Sequence, residues 1–191
     1  MKAYTILLGT GLLLAAGGPE YADACTRVVY EGTNRTVVTG RTMDWKEDPR
    51  SNLWIFPRGM ERNGQAGSNS LKWVSKYGSV ITSAYDICTT DGMNEKGLVA
   101  NLLWLAESEY PARDGRKPGL SVAAWTQYVL DNFATVDEAV EALAKDDFDV
   151  ASDLMPDGSR MATLHLSVSD AGGDNAIFEY IWSSTTASRT R

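Results

Sequence analysis

Residues 4 to 17 form an apolar, Leu-rich run behind Lys2, and Ala22-Asp23-Ala24 follows the breakers Gly18 and Pro19. A short positive start, an apolar centre and a small-x-small triplet are the pattern of a cleaved export signal. The run is too short to span a bilayer. As an interior helix it would carry Gly9, Gly11 and Gly17, each costing about 1 kcal/mol against Ala. The segment 1–24 therefore reads as a signal peptide, and the part of the chain that must fold begins at Cys25. This predicts a periplasmic or secreted location after cleavage behind Ala24.

What remains of the 191 residues is enough for one domain. The net charge is −7 at pH 7. An acidic surface argues against nucleic acid and anionic membranes as partners. Thr26–Tyr30 and Val37–Met43 are β-branched and flank a turn at 31–34, so Cys25 opens a β-hairpin. Strands are also expected at 53–56, 71–77, 79–85 and 98–105, with loops at 58–70 and 107–118. The strands 71–77 and 79–85 read as joined at Gly78. Ser121 to Phe133 carries Val122, Trp125, Val129 and Phe133 on one helical face. Thr135-Val136-Asp137-Glu138 is a capping box for a second helix running to about Lys145. Strands return at 164–169 and 176–181. This succession predicts an α+β fold with helices layered on antiparallel sheet.

The terminal cysteine suggests chemistry. A thiol is a weak nucleophile until deprotonated, and most cysteine hydrolases recruit a His. The one His, His165, lies in a strand pattern and reads as structural. Once residues 1–24 are removed, an α-amine shares a residue with the thiol. Its ordinary pKa of about 7.7–8.0 suits it to take the thiol proton and return it to a leaving amine. Two other fates of Cys25 stay open: a disulfide with Cys88, the only other cysteine, and lipidation. Arg41 and Asp44 lie at the end of the second hairpin strand. An Arg nearby favours a thiolate, and an Asp can hold an amine. Residues three apart on a regular strand face opposite ways, so both serve one site only if the strand ends or bends between them.

Three motifs, Cys25-Thr26-Arg27, Gly40-Arg41-Thr42-Met43-Asp44-Trp45 and Asp91-Gly92-Met93-Asn94-Glu95-Lys96-Gly97-Leu98, in this order resemble the choloylglycine hydrolase family of penicillin V acylases and bile salt hydrolases. Thr163-Leu164-His165, Ser169-Asp170 and Phe178-Glu179 are similar as well. The resemblance implies an N-terminal-nucleophile hydrolase, an αββα sandwich of two antiparallel sheets between helical layers. It implies cleavage of a linear C–N amide through an acyl-enzyme on sulfur, without metal or cofactor. It assigns catalysis to Cys25, Arg41 and Asp44, and a turn-shaping role to Asn94. Trp104 stands where many members have an oxyanion-holding Asn. With Trp45 it is expected to line an acyl pocket, as in the Gram-negative branch. That leans the substrate toward small amides with aromatic or fatty acyl groups, and the resemblance is compatible with a homotetramer in a longer form. The likeness runs over 25–181. The tail 182–191 is Ser/Thr-rich and unlike the family. A shifted reading frame accounts for such an ending, and the sandwich is then incomplete at its C-terminal side, with activity impaired.

Overall fold

A computed structural model describes residues 25–181 and 184–190. The proposed signal segment, residues 1–24, lies outside the described residues. In chain order the strands are β1 Arg27–Glu31, β2 Val37–Arg41, β3 Leu53–Phe56, β4 Glu61–Asn63, β5 Lys72–Val74, β6 Ser79–Ala84, β7 Cys88–Asn94, β8 Val99–Trp104 and β9 Gly119–Ser121. Helices α1 Val122–Asn132 and α2 Val136–Leu143 follow. Strands β10 Asp149–Ala151, β11 Leu164–Ser169, β12 Asn175–Ile181 and β13 Ser184–Thr190 complete the chain.

Seven strands make one antiparallel sheet in the order β13-β12-β11-β8-β7-β6-β3. Cross-strand partners share a face. Ile81, Gly92, Ala100 and Val168 are such partners, and all but Gly92 belong to the buried core with Val129, Leu130 and Trp125 of α1. A Cβ on Gly92 would sit 2.6 Å from Leu130 Cδ1 and 2.7 Å from Ile81 Cγ2. The helix lies directly on the strand there. Both helices begin where the sequence places them. Ser121 Oγ accepts from the Ala123 N–H at 3.2 Å. Thr135 Oγ1 accepts from Glu138 N–H at 3.2 Å, while the Glu138 carboxylate accepts from Ala134 N–H at 2.7 Å.

The opposite face of the sheet receives the β1–β2 hairpin, a separate two-stranded sheet. So the described residues give a helical layer, a full sheet and a second β layer, the α+β arrangement expected. Asn94 shapes a turn. Its Oδ1 accepts from Lys96 N–H at 3.0 Å and Leu98 N–H at 3.1 Å, and its Nδ2 donates to the Leu130 and Phe133 carbonyls at 2.8 and 2.7 Å. Gly97 completes the turn at φ +84°, a conformation that favours glycine.

Three expectations need correction. Residues 58–70 are not all loop: β4 pairs with β5. The strands expected at 71–77 and 79–85 are present as 72–74 and 79–84, with different partners: β5 pairs with β4, and β6 pairs with β3 and β7. Between them the chain is bound to Asp131 of α1. Its carbonyl accepts from Lys76 and Tyr77 N–H, and its carboxylate accepts from Trp73 Nε1 at 2.7 Å. The expected strand 98–105 is shorter, 99–104, and a partner, β7, precedes it. Residues 184–190, with no apolar alternation in sequence, pair with β12 along their length.

Candidate active site

The hairpin sits on a buried polar layer. Arg27 Nε donates to Asn101 Oδ1 at 2.7 Å, and its Nη2 donates to Ser169 Oγ at 2.8 Å. Thr39 Oγ1 and Ser169 Oγ are 2.8 Å apart. Asn101 Nδ2 donates to Asp91 Oδ1 at 2.8 Å, and Arg41 Nε lies 3.1 Å from the same oxygen. Asn101 and Ser169 are only 4 % and 1 % exposed. One carboxylate thus faces two half-buried guanidiniums, paired with Arg41 and acting on Arg27 through its charge. Burial pushes Arg27 down to about 10, and the Asp91 charge opposes that shift; the group stays cationic at neutral pH. These charge-assisted contacts tie the hairpin to the sheet in the observed register.

That register decides what Cys25 faces. Arg27 is opposite Arg41, and Thr42 N–H donates to the Thr26 carbonyl at 2.9 Å. Cys25 and Arg41 both line a cavity of about 230 Å³, together with Met43, Trp45 and Trp104. Residues 41, 43 and 45 keep strand alternation past the end of β2, with every second side chain turned to the cavity. Arg41 Nη2 donates to the Leu102 carbonyl at 2.5 Å. Its Nη1 is buried and finds no partner among the described residues.

Asp44 follows the same alternation and falls on the other side. It is exposed and does not line the cavity. Instead Thr42 Oγ1 donates to Asp44 Oδ2 at 3.2 Å and accepts from Thr26 N–H at 3.2 Å. Asp44 therefore reaches the residue next to Cys25 through one hydroxyl. The spacing objection holds for direct contact with the cavity.

Trp45 and Trp104 do meet, with ring centroids 5.3 Å apart and planes tilted by 45°. Trp45 Nε1 donates to Tyr85 OH at 2.9 Å. Tyr85 and Asp86 form the β6–β7 turn at φ +55° and +53°, a backbone conformation that costs a non-glycine residue of order 1 kcal/mol. The register of β6 on β7 shifts at Thr82/Ser83, and Thr90 at that bulge, with Ala84 and Cys88 beyond it, lines the cavity. Both cysteines are free thiols. Burial, with the nearby Asp91 charge, pushes the Cys88 thiol up to about 12, so it stays protonated and unreactive at neutral pH.

Sequence reasoning missed Asp91, Asn101, Tyr85 and Arg160. Asp91 lies in a quoted motif, but nothing local marks its partner at position 41. Arg160 stands over both indoles, its guanidinium carbon 4.2 Å from the Trp104 centroid and 5.4 Å from that of Trp45. His165 is in β11 and does not line the cavity. Its pKa is depressed by burial, with Glu179 opposing. Among the described residues, no group of three His, Cys, Asp or Glu side chains is placed to hold a metal ion, and no helix is long and apolar enough to cross a membrane.

A hairpin that presents a cysteine and an arginine to an indole-lined cavity, over a helix-backed antiparallel sheet, is the architecture of an N-terminal-nucleophile hydrolase. The chain belongs to the linear amide C–N hydrolases, choloylglycine hydrolase family, whose model matches residues 25–185. It is 58 % identical to a penicillin V acylase of Pectobacterium atrosepticum over 173 residues, covering 86 % of this chain and 46 % of that protein. A bile salt hydrolase/transferase of Clostridium perfringens is 30 % identical over 160 residues, 81 % of this chain and 47 % of that one. The structure of penicillin V acylase from Agrobacterium tumefaciens superposes with a TM-score of 0.79 at 61 % identity, over 85 % of this chain and 49 % of that chain. The chain spans about half the length of these relatives.

Proposed function

We propose that the protein works as a linear amide hydrolase of the penicillin V acylase type, exported and activated by removal of residues 1–24. The observation that carries this reading is the meeting of Cys25, Arg41, Trp45 and Trp104 at one cavity. With Cys25 as the first residue, its α-amine takes the thiol proton. The sulfur attacks the amide carbonyl, and a C–S bond forms as the carbonyl becomes an oxyanion. The ammonium gives its proton to the departing nitrogen, and the C–N bond breaks. Water, deprotonated by the same amine, then splits the thioester and restores the thiol. The Asp44–Thr42 chain holds the Thr26 amide beside the terminal amine. The two indoles accept an aromatic or fatty acyl group.

A rigid choloyl group is far bulkier than a phenoxyacetyl group. A cavity of about 230 Å³ lined by paired indoles favours the smaller one. The reading further places the mature protein in the periplasm or outside the cell. A homotetramer is compatible with it. The test is hydrolysis of penicillin V against glycocholate by the processed chain. Release of the amine from penicillin V, abolished in Cys25→Ala and reduced at least tenfold in Trp104→Ala, supports the proposal. Release that survives Cys25→Ala overturns it.

A further inference from the structure

Most of the cavity wall is backed by core, but one side is not. Residues 153–162 fold into a small hairpin of their own. Leu154 bridges Met161 in antiparallel fashion, Ala162 N–H donates to the Asp153 carbonyl at 2.9 Å, and Met155 N–H donates to the Arg160 carbonyl at 2.8 Å. The tip turns at Gly158, φ +69°. One arm gives Leu154, Met155 and Pro156 to the cavity wall. Leu154 is nevertheless 62 % exposed. This wall is held less by packing than the rest of the cavity lining.

What fixes such a wall is its attachments. The base is tied down: Ser121 Oγ donates to the Asp153 carboxylate, and Ser152 Oγ donates to the Ala162 carbonyl at 2.6 Å. Toward the tip stand the ion pair of Asp157 with Lys46, at 3.9 Å and solvent-exposed on both sides, and Arg160. An exposed pair of that length holds little. Arg160 reaches across from the second arm and lays its guanidinium over the indoles of Trp104 and Trp45. A planar cation over two aromatic faces is a directional contact, and Lys cannot reproduce its stacking.

We propose that Arg160 is a specificity-determining residue: by stacking on Trp45 and Trp104 it fastens the 153–162 hairpin across the cavity and so sets the length of acyl group admitted. The proposal rests on the acyl-pocket reading above. It makes the guanidinium a positioning group that touches no reacting atom. Its removal frees the tip to swing out from the Ser121-tethered base. The cavity then lengthens, and water reaches the indole pair.

The test uses the full chain and two uncharged ketones in which CH2 replaces the scissile N–H, one phenoxyacetyl and one decanoyl. Binding is followed by quenching of indole emission. In Arg160→Gln the preference for the phenoxyacetyl over the decanoyl ketone falls by roughly three- to tenfold, and emission moves to the red. Arg160→Lys falls between wild type and Arg160→Gln in both. An Arg160→Gln chain with the wild-type ratio and unshifted emission overturns the proposal. A wild-type chain that binds neither ketone sinks the acyl-pocket reading. The emission of Arg160→Gln then decides the fastening alone, a red shift for it and no shift against it.

Discussion

Asp91→Asn removes one negative charge and almost nothing else. The side-chain amide keeps the shape of the carboxylate, and its oxygen still accepts from Asn101 Nδ2, now 2.8 Å away. What disappears is the counter-charge for Arg41, whose Nε lies 3.1 Å from Oδ1 with side chains only 11 % and 17 % exposed. At an effective dielectric near 20, opposite charges this close attract by about 5 kcal/mol. Removing one partner of a buried pair costs about 3–5 kcal/mol, because the other charge stays behind dry. Arg27 shares the carboxylate and is depressed already, so it adds to the loss. The expected destabilisation is about 3 kcal/mol, read as a lower urea midpoint with an unchanged slope. The double variant Asp91→Asn with Arg41→Met should recover a large part, since the stranded cation leaves with its partner. A single variant within about 1 kcal/mol of wild type, or a double variant no better than the single, would refute the claim that this layer fixes the hairpin.

Other outcomes follow from particular contacts. Asn94→Ala leaves the buried Leu130 and Phe133 carbonyls and the Leu98 N–H without their partner, and should cost about 4 kcal/mol in urea unfolding; a loss under 1 kcal/mol contradicts the turn assignment. Iodoacetamide at neutral pH should label Cys25 and spare Cys88, whose thiol burial holds near 12; peptide mapping that finds Cys88 modified in the native chain counts against the buried-thiol reading. His165 has a folded pKa below its ordinary 6.5, so the unfolded chain takes up the proton first. Its contribution is complete above pH 6.5 and drains away as pH falls below it. Unfolding curves of His165→Gln should therefore lose less stability than wild type on acidification from 6.5, and parallel losses would contradict it.

The elements with strong local signals were legible in the sequence. Both helices carry their caps in adjacent residues, and the Cys25 hairpin carries β-branched alternation. Strand β7 gave no such signal. Its Thr89-Thr90-Asp91-Gly92 run is polar because Asp91 faces a buried charge layer, and it holds a glycine because α1 leaves no room for a Cβ at position 92. Strand β13 is legible only in the backbone, since its pairing with β12 needs no apolar side chains. In the site, Cys25, Arg41, Trp45 and Trp104 could be named from motif and resemblance. The network that positions them could not. Arg27 finds Asn101 and Ser169 at separations of 74 and 142 residues, and no local pattern encodes contacts that distant. Asp44 shows the opposite case: the resemblance assigned it to catalysis, but it is exposed and does not line the cavity that Arg41 lines.

The most direct measurement compares two chains that differ by one residue. One begins at Cys25, and the other carries a single Gly ahead of it. Each is mixed with an activated phenoxyacetyl ester, and the mass gained at the Cys25 sulfur is followed in time. The account predicts acylation of the Cys25 sulfur when the thiol and a free amine share the first residue, and a loss of about 10²–10⁴ in its rate once the amine is part of a peptide bond. Equal rates from both chains would contradict it.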